Sequence, residues 1–197
     1  MNSLIKADFV KKLREKTGVS VMACKKALER AEGDFDRALA FLKRESAEIA
    51  DKKSDRRTGS GLVASYIHSG GKIGVLAEVR CETDFVARNG AFKEFAGNIA
   101  MHIAAMDPHF LSLEQAPPEI KKEMRKIFEK EAAETGKSTE IKEKIINGKL
   151  ETYFKEKSLY SQFYVKNQDI TVEEYIKEII QKFGENIVVS RFARFVV

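Results

Sequence analysis

Residues 72–89 read KIGVLAEVRCETDFVARN, and the spacing of their apolar positions decides what kind of fold the chain takes. Ile73, Val75, Ala77, Val79 and Cys81 alternate with Leu76, Glu78 and Arg80, the two-residue period of a strand with one buried face. The preceding LVASYIH (62–68) is joined to it through Ser69-Gly70-Gly71, so the pair predicts a β-hairpin whose glycines supply the positive φ of the turn. After Asn89 the period becomes helical. In GAFKEFAGNIAMHIAAM (90–106), Phe92, Phe95, Ala96, Ile99, Ile103 and Met106 form a stripe expected to lie on the hairpin's apolar face. At the far end, NIVVSRFARFVV (186–197) is rich in β-branched and aromatic residues and is expected to complete a three-stranded sheet. Its alternation is imperfect, with Val188, Phe192 and Val196 set against Val189, Phe195 and Val197. Both faces are therefore expected to be covered, one of them by another subunit.

Working outward toward the amino terminus, the first fifty residues predict three short helices. Ser3 caps a first helix carrying Ile5, Phe9, Val10 and Leu13, which ends at Thr17-Gly18. Ser20 caps a second with Cys24, Ala27, Leu28 and Ala31, closed by Gly33. Asp34 caps a third with Phe35, Ala38, Leu39 and Leu42. Such a bundle, placed at residues 1–53, suits a docking role. The polar run ESAEIADKKSDRRTGSG (45–61) separates it from a core domain at 54–197. All three prolines fall within DPHFLSLEQAPP (107–118), where the chain must turn. About 119–157 is densely charged, with Ile120, Met124, Ile127, Ile141, Ile145, Leu150 and Phe154 as a thin apolar seam broken at Gly136 and Gly148, so a helical hairpin is expected there. TVEEYIKEIIQKF (171–183), capped by Thr171 and closed by Gly184, is a further helix. The fold class is α+β: a three-helix bundle, then a small antiparallel sheet covered by helices.

With 197 residues and 43% of them hydrophobic, the chain is long enough to bury a core. A net charge of +5 admits either nucleic acid or an acidic protein surface as partner. Two cysteines, Cys24 and Cys81, lie far apart and outside any CxxC pair, so neither a disulfide framework nor a zinc site is expected. No apolar run approaches the roughly 20 residues of a membrane span, and MNSLIKADFVKKLREK has no signal-peptide h-region. A cytosolic location follows.

Catalytic chemistry has little support. If His68 and Ile73 flank the hairpin turn, Cys81 lies roughly 27 Å from His68 at about 3.4 Å per residue, which excludes that pair. His102 falls near the apolar stripe and reads as a packed histidine. His109 sits in a loop without a spaced metal partner. SGGK lacks the phosphate-loop pattern, and the lysines of 119–157 interleave with glutamates instead of forming a basic stripe. No metal, cofactor or catalytic residue is expected. For TDFVARN (83–89), local physics offers two readings. In one, Thr83 or Asp84 caps a short turn, Asn89 caps the next helix, and Phe85 and Val86 pack beneath it. In the other, a polar and an aromatic side chain project from a rigid scaffold as a contact pair.

GVLAEVRCETDFVARN (74–89) closely resembles the signature of the bacterial elongation factor Ts family. TGVSVMACKKALERAEGDFDRALAFL (17–42) resembles that family's ubiquitin-associated-type amino-terminal domain, and GENIVVSRFARF (184–195) its carboxy-terminal strand. The likeness spans the chain in order. Ser190 departs from it, since the family often places arginine there, and only one core copy is readable where longer members carry two. Residues 119–157 look like a reduced counterpart of the longer members' coiled-coil insertion. The resemblance implies a non-enzymatic guanine-nucleotide exchange factor for elongation factor Tu, acting in translation elongation in the cytoplasm. It further implies that Thr83, Asp84, Phe85 and Val86 enter the GTPase near its Mg²⁺ and phosphates and dislodge the ion. Short members are expected to pair as homodimers in a two-to-two complex. The competing classes are a basic nucleic-acid-binding module, suggested by KKSDRR (52–57), and a small enzyme using Cys81 or His102.

Overall fold

The computed structural model describes residues 7–197. The expected cap Ser3 and the apolar Ile5 lie outside them. Helices α1 (Ala7–Thr17), α2 (Val21–Arg30) and α3 (Phe35–Asp51) come first, followed by the hairpin β1 (Ser60–Ile67) and β2 (Ile73–Cys81). A short helix α4 (Asp84–Arg88) leads into α5 (Gly90–Met106), and α6 (Pro118–Ala133) and α7 (Thr139–Lys157) make a helical hairpin. A two-stranded ribbon, β3 (Phe163–Tyr164) and β4 (Asn167–Thr171), precedes α8 (Val172–Phe183) and β5 (Ile187–Val196).

The first three helices form because short polar caps stop and restart the chain. Ser20 accepts a hydrogen bond from Ala23 N, and Asp34 from Arg37 N. Leu13, Cys24, Leu28, Ala38 and Leu42 are sealed in their common core. Helix α3 does not end with that core. Its last turns carry Ile49 and Ala50 into the main core, where the Ser46 hydroxyl bonds to Gln181 of α8 and Lys53 Nζ donates to Gly184 O at 2.6 Å. Two of the basic residues that suggested nucleic acid are thus engaged internally, Lys53 here and Arg56 at 3.6 Å from Glu82.

The three-stranded sheet has the order β1-β2-β5, antiparallel throughout. His68 N donates to Ile73 O at 2.9 Å, which sets the hairpin register read from the sequence. The irregular alternation of β5 has a physical cause: a bulge. Glu78 pairs with Arg191 but Val79 with Val189, leaving Ser190 as the extra residue, its hydroxyl on Glu78 O at 3.3 Å. The bulge swaps faces, so Val189 and Phe192 share the inner side while Val188 and Phe195 share the outer. The opposition of Val188, Phe192 and Val196 to Val189, Phe195 and Val197 is therefore replaced. Beyond the bulge Arg194 also points inward, reaching Ala104 O at 3.2 Å and Asp107 at 3.0 Å.

Helix α5 lies on the inner face, capped by Asn89 and closed by Asp107 in a left-handed conformation. It is buried more broadly than one stripe requires, because α8 and β3 cover its other side. Phe92 meets Phe183, Phe95 meets Tyr175, and His102 meets Tyr164. Ala100, His102 and Ala104 are consequently buried too, whereas Met106, expected inside, is 42% exposed at the helix end. In the α6–α7 hairpin the turn falls at Gly136, but Gly148 lies inside α7 and breaks nothing. Ala132, Ile146 and Phe154 are the buried residues there. Ile127 and Ile141 face out, and Arg125 bridges Glu129 and Glu143 across the surface.

His102 is a packed residue. Its Nδ1 accepts from Val165 N at 3.2 Å, so Nε2–H donates to Gln162 Oε1 at 3.0 Å. Gln162 in turn donates to Met106 O and Glu156 O. Burial holds the imidazole below its ordinary 6.5, so the unfolded chain takes up this proton first, and the stability it confers falls as pH drops below about 6.5. Glu178, pushed up to about 7 by burial, acts in the opposite sense, losing stability as pH rises from 4.5. The two separate in a variant: the melting-temperature gap between wild type and His102→Gln is expected to narrow from pH 7 to pH 5. A constant gap would mean that His102 does not titrate with unfolding.

Candidate partner-contact site around Phe85

The site grows from the end of β2. Cys81 closes the strand face, Glu82 and Thr83 form the connection, and α4 begins at Asp84. Thr83 is the cap: its Oγ1 accepts from Val86 N at 3.4 Å and its carbonyl from Ala87 N at 3.1 Å. The far end is closed by Asn89, whose N–H reaches Val86 O and whose side chain caps α5. Successive helical residues point about 100° apart, so Phe85, Val86 and Ala87, which together span about 200°, cannot all face the core. Val86 and Ala87 take it, and Phe85 is left 82% exposed. The local reading that packs both side chains inward holds for Val86 alone.

Asp84 and Arg88 flank Phe85 on the outer side of α4, 3.8 Å apart and both exposed. The residues singled out from the sequence thus divide by role. Asp84 and Phe85 face outward, Thr83 caps, and Val86 anchors. Beside them Asp84, Arg80, Arg191, Gly59 and Gly61 line a shallow concavity that runs onto the outer sheet face. Glu78 sits there between Arg191 and Arg80, which hold its carboxyl below the usual carboxylate range.

What fixes this unit was not legible in the sequence. Glu185, just after the glycine closing α8, accepts from Glu82 N at 3.1 Å, Thr83 N at 3.0 Å and the Thr83 hydroxyl at 2.6 Å. Glu82 returns the contact by accepting from Asn186 N at 2.6 Å. The Asn186 amide donates to Ser54 O and Arg56 O. Cys81 donates its thiol to Thr83 O at 3.2 Å, and burial pushes that thiol's pKa up, away from a reactive thiolate. Cys24 is sealed in the other core. Among the described residues no group of three or more His, Cys, Asp and Glu is placed to hold a metal, and no helix is long and apolar enough to cross a membrane. The arrangement presents side chains outward from a braced turn.

The sequence profile of the family described as Elongation factor TS matches residues 42–197. The chain is 47% identical over 191 residues to elongation factor Ts of Desulfosudis oleivorans, covering 97% of this chain and 96% of that one. It is 46% identical over 194 residues to elongation factor Ts of Thermosipho melanesiensis, covering 98% and 99%. A third relative, elongation factor Ts of Koribacter versatilis, is 49% identical over 193 residues, covering 98% of this chain and 88% of that one. The chain belongs to the elongation factor Ts family.

Proposed function

We propose that this protein is a guanine-nucleotide exchange factor for elongation factor Tu, acting in translation elongation in the cytoplasm and performing no covalent chemistry of its own. The observation that carries the reading is Phe85, a large apolar side chain held in water on a helix braced at both ends. Phe85 acts as a wedge near the partner's Mg²⁺ and phosphates, with Asp84 meeting hydrogen-bond donors beside it, since a carboxylate is not desolvated without them. Thr83 and Val86 act from behind, as cap and anchor. Loss of Mg²⁺ leaves the nucleotide phosphates less neutralised and the surrounding loops less fixed, so GDP leaves faster. By linkage, GDP weakens the factor's hold as much as the factor weakens GDP's.

Residues 1–53 serve as the ubiquitin-associated-type docking unit. Residues 54–197, with the hairpin at about 119–157, are the core and dimerisation unit. A second copy covers the outer sheet face, where Val63, Ile67, Leu76 and Phe195 stand exposed, giving a two-to-two complex. Sizing the protein alone and with elongation factor Tu, with and without GDP, alongside release of labelled GDP, tests these readings together. A dimer that binds the nucleotide-free GTPase, dissociates as GDP is added and speeds GDP release in substoichiometric amounts is expected. Unchanged GDP release would refute the exchange reading, and a monomer alone would refute the dimer.

A further inference from the structure

We propose that Glu185 is a positioning residue for the helix that carries Phe85, an inference that rests on reading Phe85 as the contact residue. Helix α4 has five residues, too few to hold a helical turn on its own in water. The bearing of Phe85 is therefore set by whatever grips the helix's first turn. Val86 and Ala87 pack on the core, but no ladder hydrogen bond of the sheet reaches this turn, because the β2–β5 pairing ends at the Cys81–Ile187 pair. Beyond that pair the two chains are joined instead by the side chains of Glu82 and Glu185, each taking the other segment's backbone N–H.

Glu185 is the half that reaches α4. One carboxylate oxygen takes the N–H groups of Glu82 and Thr83, and the other takes the Thr83 hydroxyl proton. That last bond orients the hydroxyl, leaving a lone pair for Val86 N, the cap of α4. A charged acceptor forms shorter and stronger bonds than a neutral one, and this one restrains backbone and cap together. Asn186, 4% exposed, carries the brace back to the segment after α3 through Ser54 O and Arg56 O.

The chain contains no tryptophan, so Phe85→Trp places a single indole on α4, which is excited selectively at the red edge of the absorption band, apart from the tyrosines. In that background Glu185→Ala is expected to lower the fluorescence anisotropy of the protein alone. Glu185→Gln, which keeps one oxygen for the two backbone N–H groups, should stay near the parent. Thr83→Val, which removes only the hydroxyl, provides the same test if Glu185→Ala folds poorly. In the protein with Phe85 intact, Glu185→Ala is expected to slow GDP release at saturating elongation factor Tu by about tenfold, with little change in the half-saturating concentration. Added to Phe85→Ala it should cost almost nothing further, because both act through one element. Unchanged anisotropy in both Glu185→Ala and Thr83→Val, or fully additive losses in the double variant, would overturn the positioning role. A fall in anisotropy combined with wild-type exchange in Phe85→Ala would leave Glu185 as the brace and overturn the wedge reading instead.

Discussion

Phe85→Ala is expected to slow stimulated release of labelled GDP from elongation factor Tu by at least about tenfold while moving the melting temperature by no more than about 2 °C. The two halves of that expectation have separate origins. Phe85 is 82% exposed, so its truncation removes almost no buried contact, and changes at such surface positions lie within about 0.5 kcal/mol. On the proposed wedge reading the ring is buried against the partner, and burying a phenylalanine contributes about 1.5–3 kcal/mol, or roughly tenfold to a hundredfold if it is gained as the nucleotide site opens. Phe85→Leu should retain part of the activity. Val86→Ala should show the reverse pattern, a lower melting temperature with exchange lost only as the fold is lost, because Val86 is 4% exposed. Wild-type exchange in a folded Phe85→Ala protein would remove Phe85 from the mechanism.

Gly61→Ala is expected to destabilise the protein by about 2–4 kcal/mol, a fall of roughly 5–15 °C in melting temperature. Gly61 pairs with Arg80 across the hairpin at φ +153°, and a Cβ built there would stand 2.3 Å from Val79 O and 2.8 Å from Arg80 Cα. Both neighbours are backbone atoms of the central strand. They cannot step aside as a side-chain tip would, so relief requires β1 and β2 to part beside the turn that carries α4. Thermal denaturation followed by circular dichroism reads this directly, and a melting temperature within about 2 °C of wild type would show that the strands do not approach so closely.

Local signals in the sequence announced most of the frame. Ser20, Asp34, Asn89 and Thr171 are polar caps before apolar helical runs, and each accepts the capping bond expected of it. The strict alternation from Ile73 to Cys81 specified β2 and its inner face. Where the sequence misled, the deciding partner was distant. A bulge at Ser190 is invisible until β5 meets Glu78, and only then does Arg194 turn inward. Met106 has the period of a core residue but stands where α5 ends. The ribbon of β3 and β4 went unread because strands of two and five residues carry too short a pattern. At the site, Thr83 to Val86 stood out as a motif, yet nothing local said which side chain would face out. Glu185 is about a hundred residues from Thr83 in sequence, and a lone glutamate after a helix-closing glycine looks like any solvated charge.

Helix α3 belongs to two cores at once, with Leu42 in the first and Ala50 in the second. It is a rigid rod of 17 residues, about 25 Å long at about 1.5 Å per residue, not a tether. Whatever seizes the amino-terminal helices therefore grips a lever whose other arm rests on α8, the helix that ends beside Glu185. Aim is built into such a lever: one residue inserted between Leu42 and Ser46 would swing the amino-terminal helices by about 100° about its axis and leave Phe85 pointing where it does now.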